Sequence, residues 1–298
     1  MKTIFAFTAF LFVTIAACKK NDSAPSVPPP ITPPAAASCL LVKWTATSVA
    51  NPNFFEYAPN GKLIKSRVYS NGVSLPPSTT VFDYDGNNRL TRSYDSAAMV
   101  ANNQYTTVTT YSNYTAAGYP QHSIERTTAH RDYETDFTYN AKNSIVQAVI
   151  QTYDGNDALY SKDTVDFLYD ANENFLKGSA RTRLNGTRGV YTAIEIEGYD
   201  THPNFYKSLG AEYNLHRIAN SDAFTAAGYF SYYLYMPAAN NPLKVFLHNQ
   251  GLTDKGDYLT YSYEYDGGTK LPSKISYTNT SGGITRGPSL ATALFNCK

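Results

Sequence analysis

Phe82-Asp83-Tyr84-Asp85-Gly86-Asn87-Asn88-Arg89-Leu90 is the stretch on which the reading of this chain turns. Alternate side chains of a strand share a face, so Phe82 and Tyr84 stand together with Asp83 on the opposite side. Glycine and asparagine tolerate positive φ, and aspartate and asparagine bond back to their own backbone. The five residues from Asp85 to Arg89 therefore read as a hairpin loop. That loop sets Tyr84 across from Leu90, and such a pair contributes about 0.2–1 kcal/mol while fixing the register.

The same phrase recurs along the chain. A tyrosine followed six residues later by a large apolar residue appears at Tyr57/Leu63, Tyr139/Ile145, Tyr169/Phe175, Tyr199/Phe205 and Tyr265/Leu271. Looser copies run from Tyr114 to Tyr119 and from Tyr235 to Leu243. The eight anchor tyrosines are spaced by 27, 30, 25, 30, 30, 36 and 30 residues, which makes an internal repeat. A unit this short buries its apolar face only when neighbours stack beside it. In six copies the residue two before the anchor is also aromatic: Phe55, Phe82, Phe137, Phe167, Tyr233 and Tyr263. In the last copy the register predicts Tyr261 opposite Ile275. In the fourth, Ile145-Val146 and Val149-Ile150 break alternation and predict a bulge or burial on both sides.

Eight hairpins make about sixteen strands, more than an open twisted sheet usually carries without curling. The expected fold is all-β: an antiparallel meander of about eight hairpin repeats, curled into a closed or nearly closed barrel over residues 39–298. Cys39 and Cys297 flank that region. Outside the cytoplasm a disulfide between them would bring the ends of the domain together, the alternative being two buried thiols. Alternation alone does not say whether the aromatic face meets lipid or the interior. A tethered N-terminus and a final Lys298, where membrane barrels usually end in an aromatic, favour aromatics inside.

The first seventeen residues read as a targeting segment, with Lys2 ahead of an apolar run from Ile4 to Ile15. Ile15-Ala16-Ala17 before Cys18 resembles the lipobox of bacterial lipoproteins, which implies acylation of Cys18 and a partner in membrane lipid. Lys19 in the sorting position implies the outer membrane. Residues 18–38 carry Pro25, Pro28, Pro29, Pro30, Pro33 and Pro34, a composition that favours extended polyproline II and a stalk up to about 60 Å long. Losing Lys2 with the leader takes the 25 basic residues to 24, against 24 acidic ones. Zero net charge leaves no electrostatic footprint for nucleic acid.

Tyr84 to Leu90, Tyr169 to Phe175 and Tyr265 to Leu271 resemble the YD repeat of RHS proteins, whose hairpins coil into a β-shell. The glycine that family carries four residues after the tyrosine is present as Gly61 and Gly118; Asn88, Asn143, Glu173, Pro203 and Thr269 replace it elsewhere. With the lipobox, and with the turns Tyr199-Asp200-Thr201-His202-Pro203-Asn204-Phe205 and Gly118-Tyr119-Pro120, residues 40–298 are similar to a family of Gram-negative envelope lipoproteins with a porin-like fold. No activity or cofactor comes with that resemblance.

Residues with chemical potential are few. His122, His130, His202, His216 and His248 fall in no metal-binding spacing and read as turn or surface histidines. Glu195 and Glu197 flank Ile196, so on a strand their carboxyls share a face about 7 Å apart, as a glycoside hydrolase would need. A solvated strand face explains them equally. Asp132, Glu134 and Asp136 also share a face but lack a liganding loop. Tyrosine numbers 26 and pairs apolar area with a hydroxyl, a combination suited to sugars and peptides. The anchors Tyr57, Tyr84, Tyr114, Tyr139, Tyr169, Tyr199, Tyr235 and Tyr265 serve the repeat. Tyr105, Tyr111, Tyr133, Tyr160, Tyr229 and Tyr232 form the candidate recognition surface. The sequence thus points to an envelope-anchored binding module for a glycan, peptide or envelope partner, with an envelope scaffold as the alternative and a hydrolase behind both.

Overall fold

The structure is a computed structural model. It describes residues 39–46, 52–68, 78–96, 106–127, 132–184, 186–219, 238–247 and 257–297. Cys18, Tyr105, His130, Tyr229, Tyr232, Tyr235 and His248 lie outside the described residues.

Ten strands lead round the wall as far as residue 169: β1 (Cys39–Ala46), β2 (Asn53–Tyr57), β3 (Leu63–Val68), β4 (Ser78–Tyr84), β5 (Leu90–Ser96), β6 (Thr106–Tyr114), β7 (Pro120–Thr127), β8 (Asp132–Tyr139), β9 (Ile145–Tyr153) and β10 (Leu159–Tyr169). β11 (Phe175–Leu184) and β12 (Gly186–Ile196) continue it, and β15 (Lys244–Leu247), β16 (Asp257–Tyr265), β17 (Pro272–Ser281) and β18 (Ile284–Cys297) complete it. Each pairs with its neighbour antiparallel, and β18 closes on β1 to make a barrel of sixteen strands. Between β12 and β15 the chain leaves the wall as β13 (Tyr199–Pro203), a short 3-10 turn (Phe205–Leu209), helix α1 (Gly210–Ala219) and β14 (Asn240–Pro242). β13 and β14 pair only with each other. The barrel then closes over the gap, with Ile194 opposite Leu247 and Ile196 opposite Val245.

Tyr57 pairs with Leu63, Tyr84 with Leu90, Tyr139 with Ile145 and Tyr169 with Phe175, as the repeat requires. The looser third copy pairs Tyr114 with Pro120 rather than with Tyr119. The last copy pairs Tyr265 with Pro272, which puts Tyr263, not Tyr261, opposite Ile275. Its loop is one residue longer, and Lys270 takes the positive φ of 59° there. The irregularity expected of the fourth copy is general. A register shift follows the anchor pair at Glu56/Tyr57, Asp83/Tyr84, Thr138/Tyr139 and Leu168/Tyr169. As a result the inward aromatics Phe55, Phe82, Phe137 and Phe167 face Ser66, Ser93, Ala148 and Gly178, small residues that leave room for a ring.

The turns explain the substituted glycines. Asp85 Oδ1 accepts from the backbone N–H of Asn87 and Arg89, both at 2.9 Å. Asn140 and Asp170 do the same in their own loops. The fourth residue after the tyrosine is left-handed in each case: Gly61 (φ 83°), Asn88 (59°), Gly118 (87°), Asn143 (65°) and Glu173 (65°). Proline cannot adopt that conformation. Tyr199-Asp200-Thr201-His202-Pro203 accordingly forms no wall hairpin, which corrects the expectation for the sixth copy. Tyr153-Asp154-Gly155-Asn156-Asp157-Ala158-Leu159 is a further copy of the phrase, with Asp157 at φ 59°, and it turns the chain at the opposite end of the barrel.

The anchor hydroxyls from Tyr57 to Tyr199 each reach back to the strand or hairpin before them. Tyr57 donates to the Leu41 carbonyl at 2.8 Å, Tyr84 to Leu63 at 2.7 Å, Tyr114 to Leu90 at 2.7 Å, Tyr139 to Pro120 at 2.6 Å and Tyr169 to Ile145 at 2.9 Å. Tyr199 continues the series onto the Phe175 carbonyl. The acceptor is usually the apolar partner of the previous anchor, so the hydroxyls stitch consecutive hairpins around one end. Cys39 and Cys297 pair in register at that end and are disulfide-bonded, with Cα atoms 4.0 Å apart.

The two faces of the wall differ. Inside lie Leu41, Trp44, Phe55, Phe82, Phe137, Val165, Phe167 and Ile275. Outside, neighbouring strands are linked by Arg67–Glu56 (3.0 Å), Arg92–Asp83 (2.5 Å), Arg126–Asp132 (3.7 Å), Lys244–Glu197 (3.8 Å) and Lys274–Glu264 (2.6 Å).

Candidate functional site: the plugged interior

The excursion between β12 and β15 begins at Gly198, whose φ of 82° turns the chain off the wall. Asp200 then organises the stem. Its Oδ1 accepts from the Asn241 N–H at 3.1 Å, its Oδ2 from the Asn241 side-chain amide at 3.1 Å, and the Tyr265 hydroxyl donates to the same carboxylate. The His202 ring stacks on Tyr265 at 3.8 Å. Asn241, wholly buried, also accepts from the Phe205 N–H at 3.2 Å. Asn204 caps the 3-10 turn by accepting from the Tyr206 N–H at 2.9 Å.

Beyond the stem the chain fills the lumen. Phe205 stacks on Trp44 of β1 at 5.4 Å, and Tyr206 lies against the same ring at 5.7 Å. In α1, Tyr213 meets the edge of Phe55 at 6.1 Å, and Tyr213, Leu215, His216 and Ile218 are all buried. Positions 213, 215, 216 and 218 do not share one helical stripe. A helix buried on more than one side lies within the core rather than on it. It acts as a plug.

A polar network locks this plug to the wall. His216 Nε2 lies 3.2 Å from Asp95 Oδ2, and His216 Nδ1 lies 3.0 Å from Ser93 Oγ. Ser93 Oγ is also 3.0 Å from the Tyr111 hydroxyl, and Thr80 donates to the Asp95 carboxylate. Burial, with the nearby charges of Glu125 and Asp95, holds the Tyr111 phenol well above its ordinary range. Serine, histidine and aspartate are the residue types of a nucleophilic triad, yet Ser93 is wholly buried and its hydroxyl is already shared between Tyr111 and His216. The geometry is that of an anchor.

Two rows of the inner wall from β7 to β10 are largely polar. Across the strands the register aligns Ser123, Thr135, Ile150 and Asp163 in one row, with Glu125, Tyr133, Thr152 and Ser161 in the next. All eight are buried. Thr109 donates to Glu125 at 3.3 Å. Ser66 Oγ, Thr135 Oγ1 and Asp163 Oδ1 have no hydrogen-bond partner.

Of the tyrosines proposed as a recognition surface, Tyr111 and Tyr133 are buried in the lumen, at 5% and 6% exposure, and so cannot form an outer surface. Tyr160 is half exposed. His216 likewise departs from the expectation of a turn or surface histidine. His122 meets Asp136 on the outer wall at 2.8 Å. Ile194 and Ile196 point inward, which leaves Glu195 between them on the outer face. Glu197 is exposed beside Lys244, so the two carboxylates lie on the outer face of the wall and not at a cleft. Asp132, Glu134 and Asp136 each have a separate neighbour, Arg126, the Tyr153 hydroxyl and His122, and do not converge. No group of metal-ligating side chains occurs among the described residues.

A porin-like protein from Bacteroides uniformis ATCC 8492 superposes on this chain with a TM-score of 0.50, over 87% of this chain and 98% of its own, at 14% identity. The fold is porin-like. A second porin-like protein, from Bacteroides vulgatus ATCC 8482, aligns over 86% of this chain and 99% of its own at 12% identity, with a TM-score of 0.44. No family model and no curated protein matches the chain. At such identity the porin-like likeness extends to the fold alone.

Proposed function

We propose that this chain is a lipid-anchored envelope protein whose water-facing, porin-like barrel binds a glycan, peptide or envelope partner through one mouth. The observation that carries the reading is the inequality of the two ends. One is drawn tight by short turns, tyrosine hydroxyls and the disulfide. At the other, nine residues of sequence separate β3 from β4, β5 from β6 and β15 from β16. Long loops held on a rigid scaffold are where binding residues concentrate.

The ion pairs around the outer wall support contact with water. A lysine or arginine facing lipid at the membrane midplane costs about 2–4 kcal/mol, and this wall carries them on many strands. The lipobox-like Ala16-Ala17-Cys18 supports the anchor. Two measurements test the reading. Cys18→Ser should move the protein from the membrane fraction to the soluble one. A thermal-shift screen against polysaccharides and envelope peptides should find a ligand whose effect disappears when residues 97–105 are replaced by a short turn. Solubility only in detergent for the Cys18→Ser protein would refute the water-facing barrel.

A further inference from the structure

We propose that α1 is a displaceable stopper, and that the lumen it covers is an acidic, hydroxyl-lined binding site for organic cations. The inference deepens the binding reading above by naming the class of ligand, and it rests on separate observations.

The strand ladder of the wall closes without the plug. β12 pairs directly with β15, and a backbone bond from the Leu243 N–H to the Gly198 carbonyl at 3.0 Å closes the neck of the insertion. Tyr199 and Pro242, at the two ends of the insertion, thus pair at a single neck, flanked by the left-handed Gly198. Barrels of about 16–18 strands are wide enough to leave an aqueous channel, whereas a helix with its side chains is only about 10–12 Å across.

The lining suits water better than a permanent packing partner. Ser123, Glu125, Thr135, Thr152, Ser161 and Asp163 present hydroxyls and carboxylates where a fixed core would carry aliphatics. With the plug seated, Thr135 Oγ1 and Asp163 Oδ1 lack partners. They flank Ile150 two strands apart, about 10 Å between Cα atoms. Withdrawing the plug would hydrate both, so the seated state is offset by groups that favour the open one. Glu125 and Asp163 are buried in this lining, and Asp163 keeps one carboxylate oxygen without a partner. The uncovered lining carries these two carboxylates, and a ligand bearing ammonium groups would supply donors to Asp163 Oδ1 together with a charge opposite to it. His216, bonded to Asp95 and Ser93, is the side chain that ties the plug to the wall at β5.

The test uses the full chain carrying Cys18→Ser and Thr135→Cys, so that the lumen holds the one free thiol. Cationic and anionic methanethiosulfonate reagents of matched size are compared. Labelling is expected to be slow, to accelerate about tenfold or more when His216→Ala loosens the plug, and to favour the cationic reagent by about tenfold or more through the luminal carboxylates. Asp163→Asn should reduce that preference, and spermidine should slow labelling. Asp95→Asn, which keeps side-chain shape, repeats the loosening in case His216→Ala misfolds. Equal rates for the two reagents, or a thiol that stays inert in both loosened variants while circular dichroism reports an intact barrel, would overturn the proposal. A failed glycan screen would remove the reading of the mouth and leave this result standing.

Discussion

Raising the pH should unfold this barrel cooperatively near pH 11, driven by phenols that cannot ionise in place. Burial is the leading cause that lifts the hydroxyls of Tyr111, Tyr139, Tyr169, Tyr199, Tyr261 and Tyr263 above their ordinary range. A folded value raised above the unfolded one means stability that is fully present below about pH 10 and is lost as pH climbs toward the folded value. At about pH 11 an unfolded phenol is about 90% ionised, so each group held neutral costs about 1.4 kcal/mol. Six together cost about 8 kcal/mol, comparable with the 5–15 kcal/mol that typically stabilises a whole domain. The assay follows phenolate absorbance and far-ultraviolet circular dichroism across one titration. The buried set should ionise together as the strand signal collapses. Smooth ionisation of all 26 tyrosines around pH 10 with the strand signal intact would refute the reasoning, because it would mean that the stitching hydroxyls exchange freely with water.

Replacing both Cys39 and Cys297 by alanine should lower stability by about 4 kcal/mol in urea titration, since the bridge closes a loop spanning 258 residues. Gly178→Val should cost about 1–3 kcal/mol by the same assay, because even a Cβ there would lie 3.2 Å from the Phe175 ring. Asp85, held low by the Arg89 N–H and guanidinium, Asp266, held low by the Thr269 and Gly268 N–H groups, and Glu173, held low by the Ser144 hydroxyl, should titrate below their ordinary range in carboxyl NMR. Their contribution is present above about pH 4 and fades as pH falls through the lowered values, so the turns should loosen before the wall does.

The repeat was legible because it is local: a turn phrase and a period of two are written within nine residues. Tyr133 is legible by the same rule, since Tyr133, Thr135, Phe137 and Tyr139 alternate onto one face and the last two already point inward. Tyr111 is harder, because Asn113 at φ 54° breaks the parity between it and Tyr114. The bulge is a property of register between two strands, and alternation within one strand does not reveal it. Its trace in the sequence is the small residue nine after the anchor, at Ser66, Ser93, Ser123, Ala148 and Gly178. The plug carried one local sign, Pro203 in the place where other copies are left-handed. The lock did not, because Ser93 and His216 are 123 residues apart and only closure of the barrel brings them together.

The bulge and the stitch have a common cause. A ring facing inward at every second residue would crowd a curved wall, so the position opposite each ring must be small, and the one-residue shift after the anchor pair brings Ser66, Ser93, Ala148 or Gly178 to that place. The same shift disturbs the ladder next to the anchor pair, beside the carbonyl of the apolar partner. The next anchor tyrosine donates to that carbonyl, as Tyr84 does to Leu63 and Tyr169 to Ile145. A phenol long enough to span one hairpin is therefore required at those copies, where phenylalanine would pack but leave the carbonyl without its donor; in the last copy the shifted Tyr263 donates to the Pro242 carbonyl and Tyr265 turns to Asp200. This accounts for tyrosine, rather than any other aromatic, as the invariant letter of the repeat.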